Sequence, residues 1–249
     1  MGEHAHFEGK EALEHVIDAH TQGIVTSSEI HGTEIPGPIS AGADAARETA
    51  QAVLLLWLLL TALGASQPDI LLLLAAFSTG WVIWKTGRSA WLGWSRLERL
   101  HRIVAEEKWE IEHHRQQERE ELSVLYAAKG FQGKLLEDVL DVLMADGDRL
   151  LKVMLEEEMG MSIETHEHPL KQSLGAFIGA FAAVVISGAA YLVSSDFGII
   201  CSSFLVIAIA SMVSAKFEKN RLIAAVVWNL GLSIFSVGSV YFLLELILR

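Results

Sequence analysis

The sequence predicts an all-α polytopic membrane protein with five transmembrane helices and a cytoplasmic three-helix insert between spans two and three. Two observations carry this. Apolar residues are concentrated in 50–84 and 170–248, whereas charges gather in 95–168. Several of the apolar runs reach the roughly 20 helical residues that a bilayer core requires. Overall composition is less telling: 51% of the residues are hydrophobic, against about 45–50% in soluble domains.

Five spans can be drawn in order. The first apolar run is Ala50–Ala65, extendable back to Ala45. The second is Ile70–Trp84, which reaches Trp94 if Lys85 and Arg88 snorkel to the interface. The third is Leu170–Val193, the fourth Phe197–Ala215 and the fifth Leu222–Leu248. Helices apolar on all faces rarely belong to soluble domains. Trp57, Trp81, Trp84, Trp91 and Trp94 are candidates for interfacial belts. No signal peptide is evident, because residues 1–48 are polar and acidic.

The loops set the orientation. Ser66–Asp69 and Ser194–Asp196 carry no Lys or Arg, whereas Lys85, Arg88, Arg96, Arg99 and Arg102 follow the second span, and Lys216, Lys219 and Arg221 separate the last two. By the positive-inside rule the N-terminus and insert are cytoplasmic and Arg249 is outside. The expected location is a prokaryotic cytoplasmic membrane. The divisions are a polar arm over 1–48, two spans over 49–94, the insert over 95–168 and three spans over 169–249. A net charge of −12 argues against a nucleic-acid partner. Cys201, the only cysteine, has no intramolecular partner. No nucleophile–base constellation, phosphate loop or cofactor motif suggests an enzyme.

The insert reads as three helices. Leu97 to about Leu125 lacks Gly and Pro, and Gly130 is a natural stop. Phe131–Leu143 follows with Leu135, Leu136, Val139, Leu140 and Leu143 on one face. A third helix runs from about Asp148 to Met159, and Pro169 suits the first position of the third span. The first helix holds seven Glu in sixteen residues, from Glu106 to Glu121. At about 100° per residue, Glu107, Glu110, His114, Glu118 and Glu121 form one stripe. Like charges at this spacing repel. Such a stripe is either a solvated face or a divalent-cation site, since hard cations want several carboxylate oxygens. The third helix adds Met154, Glu156, Glu157, Glu158, Met159 and Met161. A thioether beside carboxylates suits a softer transition metal, although Met154 is equally acceptable as core filler.

These residues resemble the vacuolar iron transporter family. Glu118-Arg-Glu-Glu121-Leu followed by Tyr126-Ala-Ala-Lys-Gly130 is similar to that family's E-x-x-E-(L/M)…Y-x-x-K-G run. Val153-Met154-Leu-Glu-Glu-Glu158-Met-Gly160 is similar to its M-(M)-x-E-E-(L/M)-G run, with Leu155 where some members have a second methionine. The resemblance implies a homodimeric transporter moving Fe²⁺ or Mn²⁺ out of the cytosol against protons. It implies a metal site made by Glu107, Glu110, Glu118, Glu121, Met154 and Glu158; beside it, the stripe and the third helix offer His114 and Glu157 as further candidates, and Zn²⁺ is a further ion such donors take. The family's first span carries an Asp-Gly pair and its second a Glu and a Met. Here Ala50–Ala65 and Ile70–Trp84 hold no Asp or Glu, and the proline-rich break of the third span is missing from Leu174–Val193. A cation path needs polar groups facing a cavity, and the nearest acidic candidate is Glu48, able alternatively to pair with Arg47 or Lys85. The second reading is therefore a membrane-anchored metal-binding or sensing protein without transport.

The arm suggests a short helix over Phe7–Gln22 with Glu11, His15 and Asp18 on one face, and a turn at Ile35-Pro-Gly-Pro38. His4, His6, His20, Glu29, His31 and Glu34 are further ligand types. A second metal site or gate is one reading, and a polar arm packed on the insert is the other. His166 and His168 could hand a cation towards the third span, or simply sit at the interface.

The orientation is testable by labelling, with Cys201 replaced by serine. A cysteine at Gln67 or Ser195 is expected to react with an impermeant reagent in sealed cells, and one at Glu118 is not. Labelling at position 118 in sealed cells would reverse the topology.

Overall fold

The computed structural model describes residues 37–158 and 168–248, with Glu158 defined in its backbone only. Among the described residues all regular structure is helical: α1 (Pro38–Ala62), α2 (Gln67–His113), α3 (Arg115–Ala128), α4 (Gly133–Met144), α5 (Gly147–Val153), a π-helical segment Met154–Glu158, then α6 (Pro169–Val193), α7 (Ser195–Phe217) and α8 (Leu222–Leu248). The arm's expected helix, its histidines and acidic residues up to Glu34, and His166, Met159 and Met161 lie outside the described residues. Two compact units result, one holding 37–94 and 168–248 and the other 95–158.

Five helices, α1, α2, α6, α7 and α8, are long and apolar enough to cross a membrane. The protein is an all-α polytopic membrane protein. Spans three to five fall where the apolar runs place them. The first two are longer than their apolar runs. α1 begins at Pro38, a helical position prepared by Gly37, whose φ of 118° suits glycine. α2 continues without interruption from the second span to His113.

Within the membrane unit α1 is the hub, packing on α6, α7 and α8. Its contact with α6 is made by small residues. Ala41 and Ala45 meet Ala176 and Ala180 in a cluster closed by Val82. A Cβ at Gly175 would collide with the Pro38 carbonyl, and one at Gly179 with the Gly42 carbonyl. Close backbone approach through small residues is how helices associate where lipid supplies no hydrophobic drive. A second cluster gathers Val53, Leu54 and Trp57 of α1, Ile70 and Leu74 of α2, Tyr191 of α6 and Ile199 of α7. Trp57 is thus a core residue, not part of an interfacial belt. Trp84, Trp91 and Trp94 are exposed, and the Trp81 indole N–H donates to Thr49 Oγ1 at 3.1 Å.

Lys85 does not snorkel. It is 1% exposed, and its ammonium donates to Glu48 Oε2 at 2.8 Å. His168 caps α6, its Nδ1 accepting from the Leu170 N–H at 3.2 Å, while its ring meets Trp94 edge-on.

In the polar unit the expected single helix over 97–125 is broken. His114 has φ −124° and ψ 32°, and α3 restarts at Arg115. His113 and His114 are weaker helix formers than the Glu, Lys and Arg around them. Both rings gather on Trp109, with centroids 4.6 and 5.4 Å away. α4 presents a narrower apolar face than expected: Leu140 is buried, but Leu135 is exposed. Arg119 ties α3 to α4 through Asp141 and Glu137, each at 2.7 Å.

The α1–α6 packing gives a stability prediction. Gly179→Ala is expected to cost about 1–3 kcal/mol, the usual cost of overpacking. Gly188→Ala, where a Cβ would meet nothing within 4 Å, is the control. Thermal unfolding in detergent reads the difference, and equal midpoints for both variants would contradict the packing.

Candidate metal centre

The break at His114 divides the carboxylate stripe into two pairs. Glu107 and Glu110 belong to the last turns of α2, and Glu118 and Glu121 to the first turns of α3. The stripe is therefore not one face of one helix, as the sequence suggests. Glu107 is 2% exposed, Glu118 0% and Glu121 1%, while Glu110 and His114 are half-buried. Removing an ionised carboxylate from water carries an effective penalty of several kcal/mol even after relaxation. A solvated acidic face is thus excluded for these three residues.

Met154 is fully buried and shares one apolar cluster with Ile111, Leu122, Leu140 and Leu150. Ile111 directly follows Glu110, and Leu122 directly follows Glu121. The thioether thus lies in a cluster whose members neighbour a carboxylate from each pair in sequence. The segment carrying Met154 is π-helical, a form that often appears at functional sites. It is fastened at its far end: the Lys129 ammonium pairs with Glu157 and lies 5.1 Å from the Tyr126 ring centroid. Burial raises the Tyr126 pKa, and the Glu157 charge adds to this. At the other end Asp146 caps α5 by accepting from the Arg149 and Asp148 N–H groups, the first of which does most to depress its pKa. Glu157 is thus committed to Lys129. Among the described residues no three of His, Cys, Asp and Glu stand close enough together to hold a metal ion, and the Glu158 side chain is not among them.

The membrane unit holds a separate polar feature. A cavity of about 660 Å³ is lined by α1 and α8, with Trp81 and Ile207 at its walls. α1 contributes Asp44, Arg47, Glu48 and Gln51, and α8 contributes Asn229, Ser233 and Ser236. Asp44 pairs with Arg47, and Ser233 hydrogen-bonds Gln51. Glu48 faces this space while bonded to Lys85.

The sequence pattern of the VIT family matches residues 93–244. The chain belongs to the VIT family. No curated protein gives a significant match. VIT proteins transport metal ions across membranes, which agrees with the absence of enzyme motifs. The match takes in the insert and the last three spans. The first span and most of the second precede it, and their apolar runs, Ala50–Ala65 and Ile70–Trp84, hold no Asp or Glu.

Glu107, Glu118, Glu121 and Met154 are buried in the polar unit, and Glu110 and His114 are half-buried there. Glu48 is exposed to a cavity. Asn229, Ser233, Ser236 and Gln51 are absent from the sequence-based candidates. A signal existed: Asn229, Ser233 and Ser236 are spaced at helical intervals on an otherwise apolar span.

Proposed function

We propose that the protein carries a divalent transition metal, Fe²⁺ or Mn²⁺, across the membrane after capture on the cytoplasmic insert. The ligands would be Glu107, Glu110, Glu118, Glu121, Met154 and Glu158, with Zn²⁺ as a further ion that this donor set accepts. The observation that carries the reading is that one polar, helical unit buries three glutamates, Glu107, Glu118 and Glu121, together with Met154. Carboxylate oxygens with one thioether suit a borderline divalent ion better than Ca²⁺ or Mg²⁺. Metal charge would offset the desolvation of these buried carboxylates. Arrival of the ion would draw the two Glu pairs into one coordination sphere. In this reading the insert and N-terminus are cytoplasmic, the C-terminus is outside, the membrane is a prokaryotic cytoplasmic membrane and the assembly is a homodimer.

Glu48 stands where a transport path would need a carboxylate, on the wall of the polar cavity. One observation favours the second reading, a metal-binding or sensing protein without transport: Glu48 is bonded to the Lys85 ammonium.

Full-length protein in proteoliposomes tests capture and passage together. Mn²⁺ titration is expected to show a site that Glu118→Gln/Glu121→Gln weakens by at least roughly ten-fold, the minimum cost of losing even an outer-shell partner. Inward-facing vesicles are expected to accumulate Fe²⁺ or Mn²⁺. Equal affinity in parent and double variant would remove the ligand assignment. Binding without any accumulation would support the second reading.

A further inference from the structure

Lys85 is a cation built into the membrane unit. It lies in α2, eighteen positions after Gln67, about 27 Å along the helix at 1.5 Å per residue. That length falls inside a hydrocarbon core of roughly 30 Å. Its side chain is 1% exposed, although a lysine near a membrane surface ordinarily extends its stem to bring the charge to water. The ammonium turns to α1 instead and bonds Glu48 Oε2 at 2.8 Å. Glu48 is half open to the cavity between α1 and α8, its side chain 51% exposed. One α-helical turn away on α2, Trp81 donates to Thr49, the residue after Glu48, so the α1–α2 seam fixes the register of the pair. Around the cavity the remaining charges are internally matched, Arg47 by Asp44. Asp44 and Glu48 are the two carboxylates on the cavity wall, and Glu48 is the one whose partner comes from α2, so it meets the space on one side and Lys85 on the other.

We propose that Lys85 is a tethered cation that occupies the Glu48 carboxylate and competes with a divalent metal ion for it. The inference rests on the reading that metal passes through the membrane unit, and it explains how a chain of this family can keep Glu48 on a polar cavity yet hold it closed. A monovalent ammonium at 2.8 Å neutralises the cavity carboxylate that Arg47 does not already pair. A metal ion entering the cavity must displace it, against the repulsion of a buried positive charge. Removing the ammonium frees an anionic ligand beside Gln51, Asn229 and Ser233, which supply neutral oxygens. The occupant in its absence is a divalent cation, since carboxylate and amide oxygens are ligands for hard and borderline ions. Lys85 thus sets how readily the path admits metal, and it acts through Glu48.

The test uses full-length protein in proteoliposomes with Mn²⁺ and an internal Mn²⁺-quenched dye. Lys85→Met keeps the stem and deletes the charge, and is expected to raise the initial Mn²⁺ uptake rate at sub-saturating metal by roughly ten-fold, within the usual range of coupling between two ligands of one site. Adding Glu48→Gln to this variant is expected to abolish the gain. Uptake by Lys85→Met no faster than the parent's overturns the proposal, as does a gain that survives Glu48→Gln. Lys85→Gln is the second variant should Lys85→Met fail to fold, as judged by size-exclusion chromatography and circular dichroism. Misfolding of both would show that the pair is needed for assembly, and this too overturns it. Mn²⁺ titration of the same samples separates the two readings. Loss of the insert's binding signal with the uptake gain intact removes capture but leaves the tethered cation. Normal binding with no gain in either variant does the reverse.

Discussion

A carboxylate taken out of water must meet an opposite charge or surrender its own, and this requirement shapes both units of the protein. In the polar unit Glu107, Glu118 and Glu121 are enclosed by helices whose other inward residues are leucine, isoleucine and methionine. A purely structural bundle would place apolar side chains at such positions, because replacing buried charges by well-packed hydrophobes is often neutral or stabilising. Keeping them buried costs stability, and the proposed metal site is a use for that negative charge. In the membrane unit the requirement falls on a cation: Lys85 is the buried charge, and half-exposed Glu48 answers it across the α1–α2 seam.

The scaffolding follows from that need for order. α1 can carry Asp44, Arg47, Glu48 and Gln51 through a membrane because its opposite face is small and tightly held. Ala41, Ala45 and Gly42 lie against Ala176, Ala180, Gly175 and Gly179 of α6. In the polar unit Arg119 binds α3 to α4, and Lys129 holds the π-helical segment through Glu157. These surface ion pairs add little stability on their own. Their value is geometric: Arg119 sets α3 against α4, and Lys129 holds the segment that carries Met154.

Much of the fold was legible in the sequence, for identifiable reasons. Pro169 and the run to Val193, and the run Leu222–Leu248, are long, apolar and bounded by charge, so hydropathy alone delimits α6 and α8. The early start of α1 was hidden because four polar residues interrupt the apolar run, and they are tolerated only through a cavity that another helix helps to form. The break at His114 has no Gly or Pro to announce it, and arises from two adjacent imidazoles packing on Trp109. From its own span Lys85 reads as a snorkelling residue, and of the two readings the sequence offers, its pairing with Glu48, 37 positions away, is the one the structure forms. Of the candidate centre, the identity of the glutamates and Met154 came from spacing and family resemblance. Their burial did not, because which carboxylates turn inward depends on the helix break.

Metal-edge X-ray absorption on full-length protein loaded with one equivalent of Fe²⁺ addresses the site most directly. The buried glutamates and Met154 predict an oxygen-rich shell with one sulfur scatterer, and that scatterer disappears in Met154→Leu, which preserves the side-chain volume. An all-oxygen shell identical in parent and variant would contradict a centre built from these residues.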